Sequence, residues 1–402
     1  MPERLPNAPW TRRADLATLV DALEAENARY VGGSVRDTLL GLEVNDVDIA
    51  TPLQPVEVIE RLDQANIRSV PTGLAHGTVT AILPEGNVEI TTLRHDVSTD
   101  GRRATVAFAS EWREDAARRD FTINALYADP ATHEIFDYFG GVEDLRARRV
   151  RFIGDARQRI REDHLRILRY FRFQARFGSQ PADHESESAC RELAATLKGL
   201  SRERIGWELQ NLLSLPDPGP TVRRMHALDV LPVILPEADV GALERLIAEE
   251  RRQGVVPDPI RRLAALLPAD PALTEQVAAR LRLSIAQKKR LTSAARRQPA
   301  PGDARALAYR IGRAEALDQL LLAGADGAPL VDWDIPTFPL KGGEIVARGI
   351  AAGPQVARLL RRLEDRWVAE GFPPRERVIA LLDQELAASN EDILKKPGTS
   401  TT

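Results

Sequence analysis

Asp46 and Asp48 are the first groups in this chain whose type and spacing suggest chemistry. Residues two apart on a strand share a face, so NDVDIAT predicts a short strand presenting both carboxylates together, with Val47 and Ile49 turned the other way. Adjacent carboxylates repel unless a cation neutralises them, and an oxygen-only donor set of this kind suits Mg2+. Just upstream, Gly32-Gly33-Ser34-Val35-Arg36-Asp37 places a flexible turn and an arginine where a strand becomes a helix. Main-chain N–H groups at such a turn can hold phosphates, because glycine lets a ligand come close, and Arg36 offers a permanent forked charge.

A third block runs from Arg118 and Arg119 through Asp120 into FTINAL. Its two arginines are suited to gripping a triphosphate, and Asp120 to bonding a ribose hydroxyl. The fourth block, Glu162-Asp163-His164-Leu165-Arg166-Ile167-Leu168-Arg169, falls in a run that reads as one helix, IREDHLRILRYFRFQARF. On a helix Glu162 and Asp163 lie one turn from Arg166, which by itself describes an ordinary intrahelical salt bridge. Tyr170, Phe171, Phe173 and Phe177, at helical spacing, read as core, and His164 as a solvated helix residue.

The elements that must position these groups change character along the chain. RYVGGS, NDVDIAT, GTVTAIL and NVEITTL read as strands or strand ends, alternating with helical runs such as PVEVIERLDQANI, so the first ~145 residues form a mixed α/β region. From about Arg157 helix follows helix, including SRERIGWELQNLLSL and DPALTEQVAARLRLSIAQKKRLTSAARR, with proline-rich breaks between them. The expected divisions are a catalytic head over 1–145, a helical neck over 146–215, a helical body and tail over 216–385, and a disordered end over 386–402. The 402 residues are 43% hydrophobic and 28% charged, as in an ordinary globular protein, and no apolar run reaches the ~18 residues of a membrane span. The opening MPERLPNAPWTRRADL has no apolar core behind its arginines, so no secretory signal is expected. A single cysteine, Cys190, excludes an internal disulfide and suits a reducing cytoplasm.

GGSVRD, NDVDIAT, RRDFTINALY, DYFGGVEDLRARRVRFIG and REDHLRILRYFRFQARFG follow one another in the order and spacing of the class II tRNA nucleotidyltransferases, a family shared with bacterial poly(A) polymerases. The resemblance is dense over about 29–215 and looser in LRLSIAQKKRL and FPLKGGEIVARGIAAGPQVARLL. It implies an α+β fold: a polymerase β-like nucleotidyltransferase head with a small mixed sheet, then an all-α neck, body and tail. It implies that Asp46 and Asp48 bind two divalent metals, Mg2+ as cofactor, for in-line phosphoryl transfer. Gly32, Gly33 and Arg36 then fall at nucleotide-binding positions, Arg119 at a phosphate contact and Asp120 at a ribose contact. Asp163, Arg166 and Arg169 match the nucleotide-selecting helix, with Glu162 orienting the first two, and Glu89 is the candidate third metal-site carboxylate. Residues 94–113 match an element implied to be mobile, which helps change specificity from C to A.

The expected activity is template-independent addition or repair of the 3′-terminal CCA of tRNA from CTP and ATP. The alternatives are a poly(A) polymerase or a partial CC- or A-adding enzyme of the same family, and a catalytically silent RNA-binding protein. An Asp/Arg pair can choose nucleotides without a template strand. Cytosine and adenine each offer an amino donor beside a ring-nitrogen acceptor, matching a carboxylate and a guanidinium; uracil and guanine offer the reverse. A polar mismatch of that kind discriminates by ~10⁴ or more. The partner expected from this reading is the 3′ end and upper half of tRNA, although the net charge is −4. Only six of the 55 basic residues are lysine, and Arg146 to Arg176 holds eleven arginines against three acids, a local +8. A second basic run, Arg280 to Arg297, includes Arg282, Lys288, Lys289, Arg290 and Arg296, for which RNA-backbone contact is the functional reading and a solvated helix face the plain one.

Overall fold

The computed structural model describes residues 3–99, 104–109, 111–297 and 303–394. Its contacts divide the chain into two compact units, Met1–Val240 and Gly241–Thr402. The first unit opens with α1 (Ala14–Leu23), β1 (Arg29–Val31), α2 (Gly33–Leu39), β2 (Val47–Thr51), α3 (Pro55–Gln64), β3 (Ser69–Gly73), β4 (Thr78–Ala81) and β5 (Val88–Thr92). It continues with β6 (Arg94–Thr99), β7 (Ala104–Phe108), α4 (Trp112–Ala117), β8 (Leu126–Ala128), β9 (Ile135–Asp137) and α5 (Gly141–Arg146). Helices then follow: α6 (Ala156–Glu162), α7 (Arg166–Phe177), α8 (His184–Leu193), α9 (Arg202–Leu213), α10 (Gly219–Ala227) and α11 (Leu231–Ile234). The head and neck segments thus fall in one unit.

Seven strands form a mixed sheet in the order β3-β4-β5-β2-β1-β8-β9. Burial of Val47, Ile49, Val88 and Ile90 fixes which face of β2 and β5 points inward. These two strands run parallel, and their register sets Asp48 opposite Glu89. All other neighbours in the sheet are antiparallel. β6 and β7 form a separate antiparallel pair, from Arg94↔Phe108 to Thr99↔Ala104, and residues 100–103 of the segment expected to be mobile lie outside the described residues.

The run read as one helix over IREDHLRILRYFRFQARF is broken into α6 and α7 by Asp163, His164 and Leu165. Asp163 is extended (φ −147°, ψ 106°), and its Oδ1 accepts from the Leu165 main-chain N–H at 3.1 Å. A short acidic side chain that satisfies the backbone locally competes with helical bonding. Downstream, the four aromatics of α7 are core as expected: Tyr170 stacks on Phe152 at 5.7 Å and Phe173 tilts onto Phe121 at 5.1 Å.

The second unit is helical: α12 (Val240–Gln253), α13 (Pro259–Leu266), α14 (Pro271–Arg280), α15 (Ile285–Ala294), α16 (Ala304–Ile311), α17 (Arg313–Leu322), α18 (Gly342–Val346), α19 (Pro354–Ala369) and α20 (Arg375–Leu394). Two of the proline breaks are helix starts, with Asp258 and Asp270 as N-caps and Pro259 and Pro271 at the first helical position. The single run DPALTEQVAARLRLSIAQKKRLTSAARR divides into α14 and α15. Arg282 takes a left-handed φ of 55°, and Ser284 forms a capping box with Gln287. Arg290, expected on a basic surface, pairs with Asp318 at 2.7 Å and Asp258 at 2.9 Å. Asp318 is buried, and with Glu250, Arg261 and Arg262 it belongs to an interior ionic network. α20 continues to Leu394, inside the stretch expected to be disordered, and residues 395–402 lie outside the described residues.

Cys190 on α8 is fully buried, and burial pushes its thiol well above the ordinary range, with Glu187 adding to the effect. Because the thiolate is the reactive form, the folded protein is expected to resist thiol labelling at about pH 8 and to label fully in urea. Rapid stoichiometric labelling without denaturant contradicts this packing.

Candidate active site

A cleft of about 410 Å³ opens in the first unit, within the size range of small-molecule sites. Nine of the residues to which the resemblance gives a role line it: Gly32, Gly33, Arg36, Asp48, Arg119, Asp120, Asp163, Arg166 and Arg169. Arg118, Asn124 and Phe173 complete it. Asp46, Glu89 and Glu162 stand outside this lining. Asp46 is exposed just before β2, Glu89 is exposed on β5 beside Asp48, and Glu162 ends α6.

The carboxylates at β2 and β5 crowd one another. Burial, then the Glu89 charge, pushes the Asp48 carboxyl up to about 6; Asp46 adds to the rise and Arg119 opposes it. Among the described residues no group of three or more His, Cys, Asp or Glu side chains forms a metal cage. An open oxygen site with one or two carboxylates, completed by water and substrate phosphates, is the usual arrangement for Mg2+, and Asp46 and Asp48 fit it.

Gly32, with φ 73°, adopts a backbone conformation that disfavours a side chain, and a Cβ there would lie 3.4 Å from Arg119 Nη1. The glycine therefore lets the β1–α2 turn approach the arginine. Arg36 is buried: Nε donates to Asp37 at 2.7 Å, Nη1 to Asn124 Oδ1 at 2.6 Å, and the guanidinium lies 4.2 Å from the Phe177 ring centre. Two of its five guanidinium N–H groups are thus engaged by protein, leaving one on Nη1 and both on Nη2.

Arg119 donates from Nη2 to Asp115 Oδ2 at 3.1 Å and from Nε to the Tyr127 hydroxyl at 3.2 Å, leaving Nη1 towards Gly32. All four acceptor sites of Asp120 are occupied. Oδ1 takes the Asn124 amide at 3.0 Å and the Phe121 N–H at 2.9 Å, and Oδ2 takes Arg169 Nε at 2.7 Å and Nη2 at 2.5 Å. Burial works to raise the Asp120 pKa, but Arg169 and Asn124 outweigh it and hold the carboxylate below its ordinary value.

Asp163 and Arg166, expected from the resemblance to select the nucleotide, have separate supports. Glu162 holds Arg166 at 2.7 Å and also Arg159, whereas Asp163 Oδ2 is held by Arg204 of α9 at 2.7 Å. Glu162 therefore orients Arg166 but not Asp163. Arg166 Nη1 also reaches the Arg159 carbonyl at 2.9 Å, and Nη2 the Arg118 carbonyl at 3.0 Å. These bonds use three of the five guanidinium N–H groups.

Sequence reasoning missed Asp115, Asn124, Arg159 and Arg204 as supports. Asp115 carried a usable signal, since it precedes Arg118 and Arg119 by three and four residues. Arg204 carried none, because its partner lies 41 residues away. The +8 segment also changes meaning. Arg149 and Arg151 meet Asp144, Arg157 meets Glu192, Arg169 meets Asp120, Arg172 meets Glu208 and Arg176 approaches Asp37, all acids from outside the segment.

The mixed sheet, its strand-edge carboxylates and the arginine-lined cleft define a nucleotidyltransferase head joined to a helical neck. Residues 28–151 match the Poly A polymerase head domain family, and residues 183–241 the family described as "Probable RNA and SrmB- binding site of polymerase A". The chain is 36% identical to the mitochondrial CCA tRNA nucleotidyltransferases 1 of Mus musculus and Homo sapiens, over 89% of its own length and 87% of theirs. The crystal structure of the Bacillus stearothermophilus CCA-adding enzyme in complex with CTP superposes with a TM-score of 0.72 at 25% identity, covering 96% of this chain and all of that one. The chain belongs to the class II CCA tRNA nucleotidyltransferase and poly(A) polymerase head family.

Asn124 bridges Arg36 and Asp120, so Asn124→Ala leaves both partners short of a bond in a buried setting. A loss of about 1–3 kcal/mol of stability in urea titration is expected, together with weaker CTP binding by calorimetry. Unchanged values for both would show that the bridge is dispensable.

Proposed function

We propose that this chain builds or repairs the 3′-terminal CCA of tRNA, adding CMP and AMP units from CTP and ATP without a nucleic-acid template. The observation that carries the reading is one cleft that brings Asp48, Arg119 and the Asp163/Arg166 pair together. Family membership and the activity named for the relatives support it.

Asp46 and Asp48 would hold Mg2+, which when bound supplies Lewis-acid stabilisation of the transferring phosphoryl group and lowers the pKa of the primer's 3′ hydroxyl. Glu89 lies opposite Asp48 on the neighbouring strand and adds negative charge beside it, which raises the cost of leaving the two carboxylates without a cation. Arg119, with Arg118 beside it, takes the triphosphate, and the Gly32–Gly33 turn gives the phosphates room. Asp120 sets Arg169 and contacts the ribose when Arg169 yields one of its two bonds.

At the base end, Asp163 accepts from the amino group of cytosine or adenine, and Arg166 donates to the ring nitrogen with one of its two remaining N–H groups. Glu162 and Arg204 hold the pair. Uracil and guanine present carbonyl and N–H in the reversed order, leaving both charges unmatched. The pair of β6 and β7 stands where the resemblance implies the element that helps change specificity from C to A. The single, buried Cys190 suits a reducing compartment, and we assign the chain to the cytoplasm.

Incubating tRNA that lacks CCA with labelled CTP and ATP tests the proposal. Incorporation of two C and one A supports it; ATP-only tailing identifies a poly(A) polymerase, and CC or A alone a partial enzyme. The Asp46→Ala/Asp48→Ala variant is expected to lose about 10³-fold or more in rate, and full activity would overturn the metal assignment. Exchanging Asp163 and Arg166 should abolish the preference for C and A over U and G. An unchanged preference would sink the protein-template reading.

A further inference from the structure

One buried charged group beside the cleft has no part in the chemistry described above. Asp115, on α4, is 1% exposed and accepts from four residues, Arg119 reaching it through both Nη2 and Nε. Its Oδ1 accepts from Arg118 Nε at 2.8 Å and from the Arg94 main-chain N–H, at the start of β6, at 3.2 Å. Its Oδ2 accepts from the Tyr127 hydroxyl at 2.6 Å and from Arg119 Nη2 at 3.1 Å. Tyr127 is itself fully buried in the strand next to β1.

The end of α4 is a second point of attachment. The Ala117 carbonyl accepts from Arg159 Nη1 at 2.9 Å and the Arg118 carbonyl from Arg166 Nη2 at 3.0 Å. The segment that carries the triphosphate arginines therefore also docks the base-reading arginine. A charge-assisted carboxylate at the centre of such a set fixes direction more than it adds stability.

We propose that Asp115 is a positioning residue that aims Arg118 and Arg119 at the triphosphate and, through the main chain at the end of α4, holds Arg166 in register with them. The base and the phosphates are thereby gauged against one short helix. A nucleotide is gripped well only when both ends fit, which makes Asp115 a determinant of selection although it touches no substrate. The carboxylate is ionised throughout the working range: burial raises its pKa, but Arg119, Arg118 and Tyr127 prevail and hold it at about 2. The inference rests on the reading of Arg119 as a triphosphate contact.

The test compares Asp115→Asn, Tyr127→Phe and Arg119→Ala in the full chain. Asp115→Asn keeps the size of the side chain and removes its charge. It should raise KM for CTP and ATP by about tenfold or more and leave kcat at saturation within about threefold. KM for tRNA should not change, and UTP incorporation relative to CTP should rise. Tyr127→Phe, which removes one donor to the same carboxylate, should move the same quantities in the same direction by less. A merely structural role would lower the active fraction without changing KM or the CTP/UTP ratio. If Arg119→Ala weakens CTP binding while folded Asp115→Asn keeps the parent's KM and CTP/UTP ratio, the inference fails and the site reading stands. If Arg119→Ala leaves CTP binding unchanged, the site reading itself fails. Should Asp115→Asn not fold, Tyr127→Phe decides by the same two quantities.

Discussion

The nucleotide cleft depends on one kind of interaction, the buried carboxylate shared among guanidinium groups. Asp120 ties Arg169 to the Asn124 turn, Glu162 ties Arg166 to Arg159, and Asp115 ties Arg118 to Arg119. Removing one partner from such a set strands a charge out of water, which is far more costly than the net worth of the pair. The pairs therefore act as constraints on direction. They hold permanently charged, long side chains in single orientations, a condition for reading both a base edge and a triphosphate without a second nucleic-acid strand.

The same pairing resolves the charge of the chain. A net −4 spread over 402 residues and a run of eleven arginines against three acids look contradictory only along the sequence. In three dimensions Asp144, Asp120, Glu192, Glu208 and Asp37 arrive from other elements and neutralise much of the run. What remains for RNA and triphosphate is the set of guanidinium edges left over after internal bonding. In the second unit the same logic holds, with the half-buried Arg290 bonded to the buried Asp318 and to Asp258.

The strand that carries Asp48, the glycine turn ahead of α2 and the arginine pair before Asp120 were legible because short-range periodicity and turn chemistry determine them, although β2 begins at Val47 and leaves Asp46 just before it. Core placement of Tyr170, Phe171, Phe173 and Phe177 was legible for the same reason. The break at Asp163 was not, because apolar spacing continues through it and only the side-chain bond to Leu165 N–H and the pull of Arg204 reveal it. Likewise, the split between α14 and α15 hides inside a helical pattern and depends on one left-handed residue and one capping serine. The sequence pointed to nine residues that the fold brings to one cleft. It could not show which nitrogens of Arg36 were already engaged, since Asn124 reaches it from 88 residues away.

The cleft draws its positive charge from Arg36, Arg118, Arg119, Arg166 and Arg169, with no lysine or histidine in its lining. Guanidinium groups keep their proton at any pH a folded protein survives. They also offer no target to acylation, the modification that erases a lysine's charge. The positive charge of the lining can therefore be screened by salt but not removed by protons or by acyl donors. Sensitivity to acid enters instead through the carboxylate side of the cleft, where Asp48 stands at about 6.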